Sequence, residues 1–281
     1  MQTVNLLGAG LMGMGIAQYL SQQGMSVTVR DVDQPTLEKG LERTRQNLKG
    51  QVERGRMTQQ DMDKTLANIK TTTKMEGIAQ ADLVIEAIFE DMEVKKKVFA
   101  ELDALCPPRT ILATNTSILS PTEIGSATKR PPQTIGMHWF NPAPVMKLIE
   151  VTAGLETSED TLQAVMDFAR KVGKTPVRVN EAPGGITSRI LCAMRNAAVD
   201  ILAEGVASAE DIDTAMKLGA NFPMGPLELI DLVGVDIATI NSDNLYKEIG
   251  HDKYRPNALL RKMVRAGHLG RKSGRGFYSY K

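Results

Sequence analysis

Val4-Asn5-Leu6-Leu7-Gly8-Ala9-Gly10-Leu11-Met12-Gly13 decides the fold of this chain. A short apolar run that reads as a strand passes into GxGxxG, and the glycines open a stretch, Leu11 to Gln23, with apolar residues at helical spacing. That context is what a dinucleotide-binding turn requires. Gly8 allows the tight turn, Gly10 lets backbone approach a pyrophosphate, and Gly13 permits close packing of helix on strand. The helix start across Leu11 and Met12 then offers unpaired N–H groups to an anion. Asp31, 18 residues beyond Gly13, closes a second strand-like run from Ser26. A carboxylate there bonds the ribose hydroxyls and repels a 2′-phosphate, so NAD is expected over NADP. Arg30 would suit a 2′-phosphate, but strand alternation turns it to the opposite face.

Outward from this unit, six further strand-like runs follow: Ile69 to Thr72, Leu83 to Ala87, Thr110 to Ala113, Thr134 to His138, Lys147 to Val151 and Pro176 to Val179. Helical periodicity fills Thr36 to Arg54, Val94 to Leu105 and Glu159 to Val172, and Ser120-Pro121-Thr122-Glu123 resembles a capping box. Alternation of this kind predicts a mostly parallel sheet. After Glu181-Ala182-Pro183-Gly184-Gly185 the β-branched runs stop. Helices are expected over Ile186 to Glu204, Ala209 to Leu218, Pro226 to Leu232 and Asp236 to Ile249, with Gly205, Gly219, Gly234 and Gly250 as stops. The expectation is an α/β domain over 1–183 followed by an all-helical domain over 184–281. Ile190, Leu191, Met194, Ala197, Ala198, Ile201 and Leu202 would supply its core and a surface for a partner subunit.

Thirty-four Lys and Arg balance 33 Asp and Glu, giving a net charge of +1 and no broad field for nucleic acid or an anionic membrane. No run approaches the ~18 apolar residues of a membrane span. The early strand at Val4 predicts that no signal peptide precedes the fold. Cys106 and Cys192 stand in no CxxC pattern and read as buried thiols of a cytoplasmic protein. His138, His251 and His268 lack ligand spacing, so no metal is expected.

Imidazole titrates near neutrality, which makes His138 in Gly136-Met137-His138-Trp139-Phe140-Asn141-Pro142 the first candidate for a base. A histidine between apolar strand neighbours also serves purely structural hydrogen bonding, and this segment alone leaves both roles open. Glu90 and Asn115-Thr116-Ser117 follow strand ends, where open α/β sheets bind ligands, and Ser117, His138 and Glu150 are expected to converge there.

GAGLMGMGIAQ (8–18), ATNTSILSPTEI (113–124), GMHWFNPAPVMKLIEV (136–151), NFPMGPLELIDLVGVD (221–236) and GRKSGRGFYSYK (270–281) together resemble the L-3-hydroxyacyl-CoA dehydrogenases, particularly the bacterial short-chain 3-hydroxybutyryl-CoA members. The resemblance implies a Rossmann-type NAD domain, a helical substrate and dimerisation domain, and hydride transfer between a 3-hydroxyacyl thioester and NAD. It assigns His138 as base, Glu150 as its orienting acid, Ser117 to the substrate oxygen and cofactor, and Asn141 to the nicotinamide side and substrate. Glu90, Lys95 and Lys272 match cofactor positions, while Asn47 and Arg54 fall near CoA positions, where a solvated helix face is an equal reading.

The chain departs from the family pattern at three places. Gly185 and Ser188 stand where the family has Phe and Asn, which predicts a reshaped acyl pocket or a different thioester carrier, and Phe222 stands where relatives have His. Asn196, two helical turns beyond Ser188, offers a further amide. Other readings of the chain are a dehydrogenase of acyl-carrier-protein thioesters or of hydroxy acids, and a non-catalytic NAD-binding structural protein.

Overall fold

The computed structural model describes residues 1–280 and divides at 182/183 into two compact units. Lys281, the last residue of the closing motif, lies outside the described residues.

The first unit runs β1 (Val4–Leu7), α1 (Leu11–Gln22), β2 (Val27–Arg30), α2 (Gln34–Glu53), α3 (Gln59–Ala67), β3 (Ile69–Thr72), α4 (Glu76–Ala79), β4 (Leu83–Glu86), α5 (Met92–Leu105), β5 (Ile111–Thr114), α6 (Pro121–Gly125), β6 (Thr134–Trp139), β7 (Leu148–Ala153), α7 (Glu159–Lys171) and β8 (Thr175–Asn180). All eight expected strands form one sheet in the order β3-β2-β1-β4-β5-β6-β7-β8. Pairing is parallel except between β6 and β7. Strand alternation sends Val4, Leu6, Leu83, Ile85 and Ala113 into a core shared with Met14, Ile16 and Leu20 of α1 and Leu162, Val165 and Phe168 of α7. The intervening Leu7, Val84 and Leu112 face a second core with Ile78, Phe99, Leu102 and Ile124. Helices therefore cover both faces, and the apolar strand runs follow from burial on each side. Chain direction around the sheet reverses between β1 and β4, which makes the carboxyl edge there a ligand crevice.

The second unit contains α8 (Thr187–Ala203), α9 (Ala209–Gly219), α10 (Pro226–Val233), α11 (Val235–Ile249) and α12 (Ala258–Arg265). Two expectations need correction. Gly219 ends inside α9, whose cap is Ala220, whereas Gly205, Gly234 and Gly250 do stop helices with positive φ. The buried face of α8 is Cys192, Arg195, Asn196, Ala198 and Val199, while Ile190 and Ile201 are exposed. Of the expected stripe, Ala198 joins the core with Leu202 packed against it, while Ile190 and Ile201 point outward.

Candidate active site

The glycine turn obeys sterics. Gly8 has φ +105, and a Cβ on it would lie 2.5 Å from the Ala87 carbonyl oxygen; one on Gly13 would lie 1.9 Å from the Gly8 carbonyl oxygen. A Cβ on Gly10 would meet nothing within 4 Å, so the turn is open on the side where a pyrophosphate would sit. Gly10 caps α1 without any side chain accepting from the helix start. The free N–H groups and open glycine fit an anionic dinucleotide. At the end of β2 the Asp31 carboxylate accepts from the Ala9 N–H at 2.6 Å and the Val32 N–H at 2.7 Å. Each oxygen keeps a second lone pair for a ribose hydroxyl. Arg30 donates instead to the Thr73 carbonyl at 3.3 Å.

Between β4 and β5 a buried network shapes the next two loops. Lys95, only 1% exposed, reaches Glu86 at 2.6 Å and Glu90 at 3.3 Å. Glu86 also accepts from the Thr114 hydroxyl and the Ile88 N–H, at 2.6 and 2.8 Å. Glu90 accepts from the Thr116 hydroxyl and from the Ser117 N–H at 3.1 Å. Lys95 therefore lies beneath the crevice, holding Glu90, and through it Ser117, at a fixed height. Glu86 and Thr114 escaped the sequence reading, and Thr116 figured in it only as part of the Asn115-Thr116-Ser117 loop. Their one signal is an acid closing an apolar run nine residues before a lysine in an amphipathic helix. Asn115 ties β5 to β6, its side-chain oxygen accepting from the Trp139 N–H at 2.8 Å.

The antiparallel pairing of β6 and β7 sets His138 directly opposite Glu150. Opposed residues in such a ladder project to the same face, and His138 Nδ1 lies 3.3 Å from Glu150 Oε2, the side chains 14% and 4% exposed. The Phe140 ring stands 4.3 Å from the imidazole, centroid to centroid. Asn141 follows on the exposed turn leaving β6. Gly8, Gly10, Asp31, Glu90, Asn115, Ser117, His138 and Asn141 thus share the carboxyl edge of the sheet. Asn47 on α2 and Arg54 at its cap are exposed.

In the second unit Ser188 occupies the first turn of α8, and Lys272 pairs with Asp236 at 2.6 Å. Asn196 is not a free amide: its nitrogen donates to the Lys253 and Arg255 carbonyls at 3.0 and 3.3 Å, and its oxygen accepts from Ser242 at 3.3 Å. Gly185 has φ +51, in the left-handed region that favours glycine, which gives that departure a backbone reason. Nothing in the structure explains Phe222. Burial pushes the thiols of Cys106 and Cys192 up, away from nucleophilic use. No helix among the described residues is long and apolar enough to cross a membrane, and they hold no cluster of three potential metal ligands.

Two family models match this chain: the 3-hydroxyacyl-CoA dehydrogenase NAD-binding domain over residues 3–182 and the C-terminal domain of the same family over 184–280. The chain belongs to the 3-hydroxyacyl-CoA dehydrogenase family. It is 48% identical to a probable 3-hydroxybutyryl-CoA dehydrogenase of Bacillus subtilis, over 99% of this chain and 96% of that one. Identity is also 48% to the 3-hydroxybutyryl-CoA dehydrogenase of Clostridioides difficile, over 98% of each. The crystal structure of (S)-3-hydroxybutyryl-CoA dehydrogenase from Ralstonia eutropha superposes with a TM-score of 0.94 at 42% identity, over 100% of this chain and 99% of that one. The protein is an NAD-dependent 3-hydroxyacyl-CoA dehydrogenase, with the family's Rossmann NAD-binding domain and helical C-terminal domain.

Proposed function

We propose that this dehydrogenase acts on short-chain substrates of the 3-hydroxybutyryl-CoA type, with His138 as the base and Glu150 as its orienting acid. The observation that carries the reading is the directly opposed His138–Glu150 pair at the crevice edge. With Nδ1 turned to the carboxylate, Nε2 is the nitrogen left to take the 3-hydroxyl proton. The chemistry that a bound NAD would supply is that of hydride acceptor for C3. Glu150 then lies beside the imidazolium in a setting from which most water is excluded, where its charge acts at little screening. Ser117 holds the substrate oxygen, Asn141 contacts substrate and the nicotinamide side, and Ser188 contacts the acyl portion.

The same reading gives Glu90, Lys95 and Lys272 to the cofactor site, Lys95 acting from below through Glu90. Asn47 and Arg54, seven positions apart on one helical face, would receive the CoA moiety. A homodimer is proposed from the exposed Ile190, Ile201, Leu232, Val233, Ile237 and Ile240 of α8, α10 and α11. A cytoplasmic location is proposed from the two buried free thiols.

Replacing His138 by Gln should lower kcat for NADH-dependent acetoacetyl-CoA reduction by about two to four orders of magnitude, the range for a lost general acid or base. NADH affinity should stay close to that of the parent. A variant within about tenfold of the parent would remove His138 from proton transfer.

A further inference from the structure

Lys174, immediately before β8, is a buried ammonium outside every role assigned above. It is 6% exposed and forms no ion pair with a carboxylate among the described residues. Its Nζ donates to the carbonyls of Ala143 and Met146, each at 2.7 Å, and stands 3.5 Å from the centroid of the Tyr19 ring and 5.5 Å from that of Trp139. The two rings meet edge to face at 5.9 Å, and the Tyr19 hydroxyl donates to the Val172 carbonyl at 2.6 Å. Gly173, with φ +78, lets the chain turn beneath that hydroxyl; a Cβ there would lie 3.3 Å from it. The next residue donates as well, from the Thr175 N–H to the Lys147 carbonyl at 2.8 Å.

The partners of the Lys174 ammonium are neutral: two aromatic faces and two backbone carbonyls. Burial accordingly pulls its pKa down to about 8. A methionine would fill this space without the cost of desolvating a cation, so the charge is poorly accounted for by stability. What it does secure is geometry. Ala143 and Met146 belong to segment 141–147, which begins with Asn141 and, together with Phe140, joins the strand of His138 to the strand of Glu150. The Trp139 ring, under the same ammonium, is the neighbour of His138 in sequence. Charge-assisted bonds to two carbonyls fix the connection at both ends more tightly than packing alone.

We propose that Lys174 is a positioning residue for hydride transfer, its ammonium pinning the 141–147 connection and with it Asn141 and the facing of His138 on Glu150. The proposal rests on the assignment of His138 as base. Displacements near 1 Å at a reacting centre cost on the order of 100-fold in rate, so a loosened connection shows in kcat.

The test uses the full-length enzyme with acetoacetyl-CoA and NADH, comparing Lys174→Met, Lys174→Gln, which keeps two N–H donors without charge, and His138→Gln. The expected result for Lys174→Met is a kcat lowered about 10- to 100-fold, with KM for the thioester and the Kd of NADH within about threefold. Emission of Trp139, the single tryptophan, should become more open to acrylamide quenching, and Lys174→Gln should fall between parent and Met variant. Should Lys174→Met not fold, Lys174→Gln is judged by the same kcat, KM and quenching readings. Parental kcat in a folded variant, or a loss confined to KM, overturns the positioning role. An active His138→Gln overturns the base assignment instead. An inactive His138→Gln beside Lys174 variants of parental kcat overturns the positioning role alone.

Discussion

Both units bury charged side chains, and what those charges touch differs. In the helical unit, Asp213 accepts from the N–H groups of Leu227 and Glu228, each at 2.9 Å, and from the Tyr278 hydroxyl at 2.7 Å. Asp231 accepts from the N–H groups of Phe277 and Tyr278 and from the Tyr280 hydroxyl, each at 3.0 Å. These carboxylates fasten one piece of backbone to another, and their partners are neutral donors. In the α/β unit, Lys95 meets Glu86 and the more exposed Glu90, and His138 separately meets Glu150, titratable group against titratable group. A buried carboxylate answered by neutral donors marks architecture here, whereas charges answered by each other at a crevice mark chemistry. Lys174, a buried cation held by neutral carbonyls, belongs by its contacts to the first kind and acts on the site only by placing backbone.

Separating the two kinds of charge by mutation sharpens that contrast, and the largest change in stability should come from the helical unit. Asp231→Ala leaves two N–H groups and a hydroxyl without their acceptor, and should cost about 3–5 kcal/mol in urea unfolding, the range for a broken buried charge network. The kcat of the protein that remains folded should stay near the parent's. A destabilisation under about 1 kcal/mol would erase the distinction. Glu86→Gln is the counterpart in the α/β unit. It weakens the hold on Lys95 and hence on Glu90, and should raise the Kd of NADH about tenfold, near 1.4 kcal/mol, measured by fluorescence titration. Unchanged affinity would make that network architectural too. Asp31→Asn removes the charge that opposes a 2′-phosphate, so the NADH to NADPH ratio of kcat/KM should fall by about tenfold. A ratio that stays put would break the link between Asp31 and cofactor choice.

The effect read against pH concerns Lys174 and has a definite sign. Its pKa is about 8 in the fold against 10.5 for an ordinary lysine. Between those values the unfolded chain binds more protons, so this residue's contribution to stability rises with pH across that window. Below it both states are protonated. The stability of the parent relative to Lys174→Met should therefore improve as pH is raised from 7.5 to 9.5 in parallel urea titrations. A flat or falling difference would show that folding does not disfavour the ammonium.

Much of this architecture was legible in the chain because strands buried on both faces are continuous apolar runs and the glycine turn has a steric signature. Helices α3, α4 and α12 were not. Gln59–Ala67 (α3) has a capping signal in Thr58 and Asp61 but buries only Met62 and Thr65, and α12 buries only Leu260 and Met263. At the site, His138 and Glu150 were visible as residue types, but their direct opposition depends on β7 running against β6, a fact of sheet topology. Lys95 was legible only through the family resemblance, as a cofactor position, and its burial becomes visible only with Glu86 beneath it. Lys174 gave no signal either, because what surrounds it comes from α1, β6 and a distant turn.

The central claim is that His138 and Glu150 act as one unit, and a double-mutant cycle on kcat tests it most directly. Glu150→Gln alone should slow acetoacetyl-CoA reduction; added to His138→Gln, it should change kcat by less than about threefold, since the carboxylate works only through the imidazole. Losses that multiply across the pair would contradict the account.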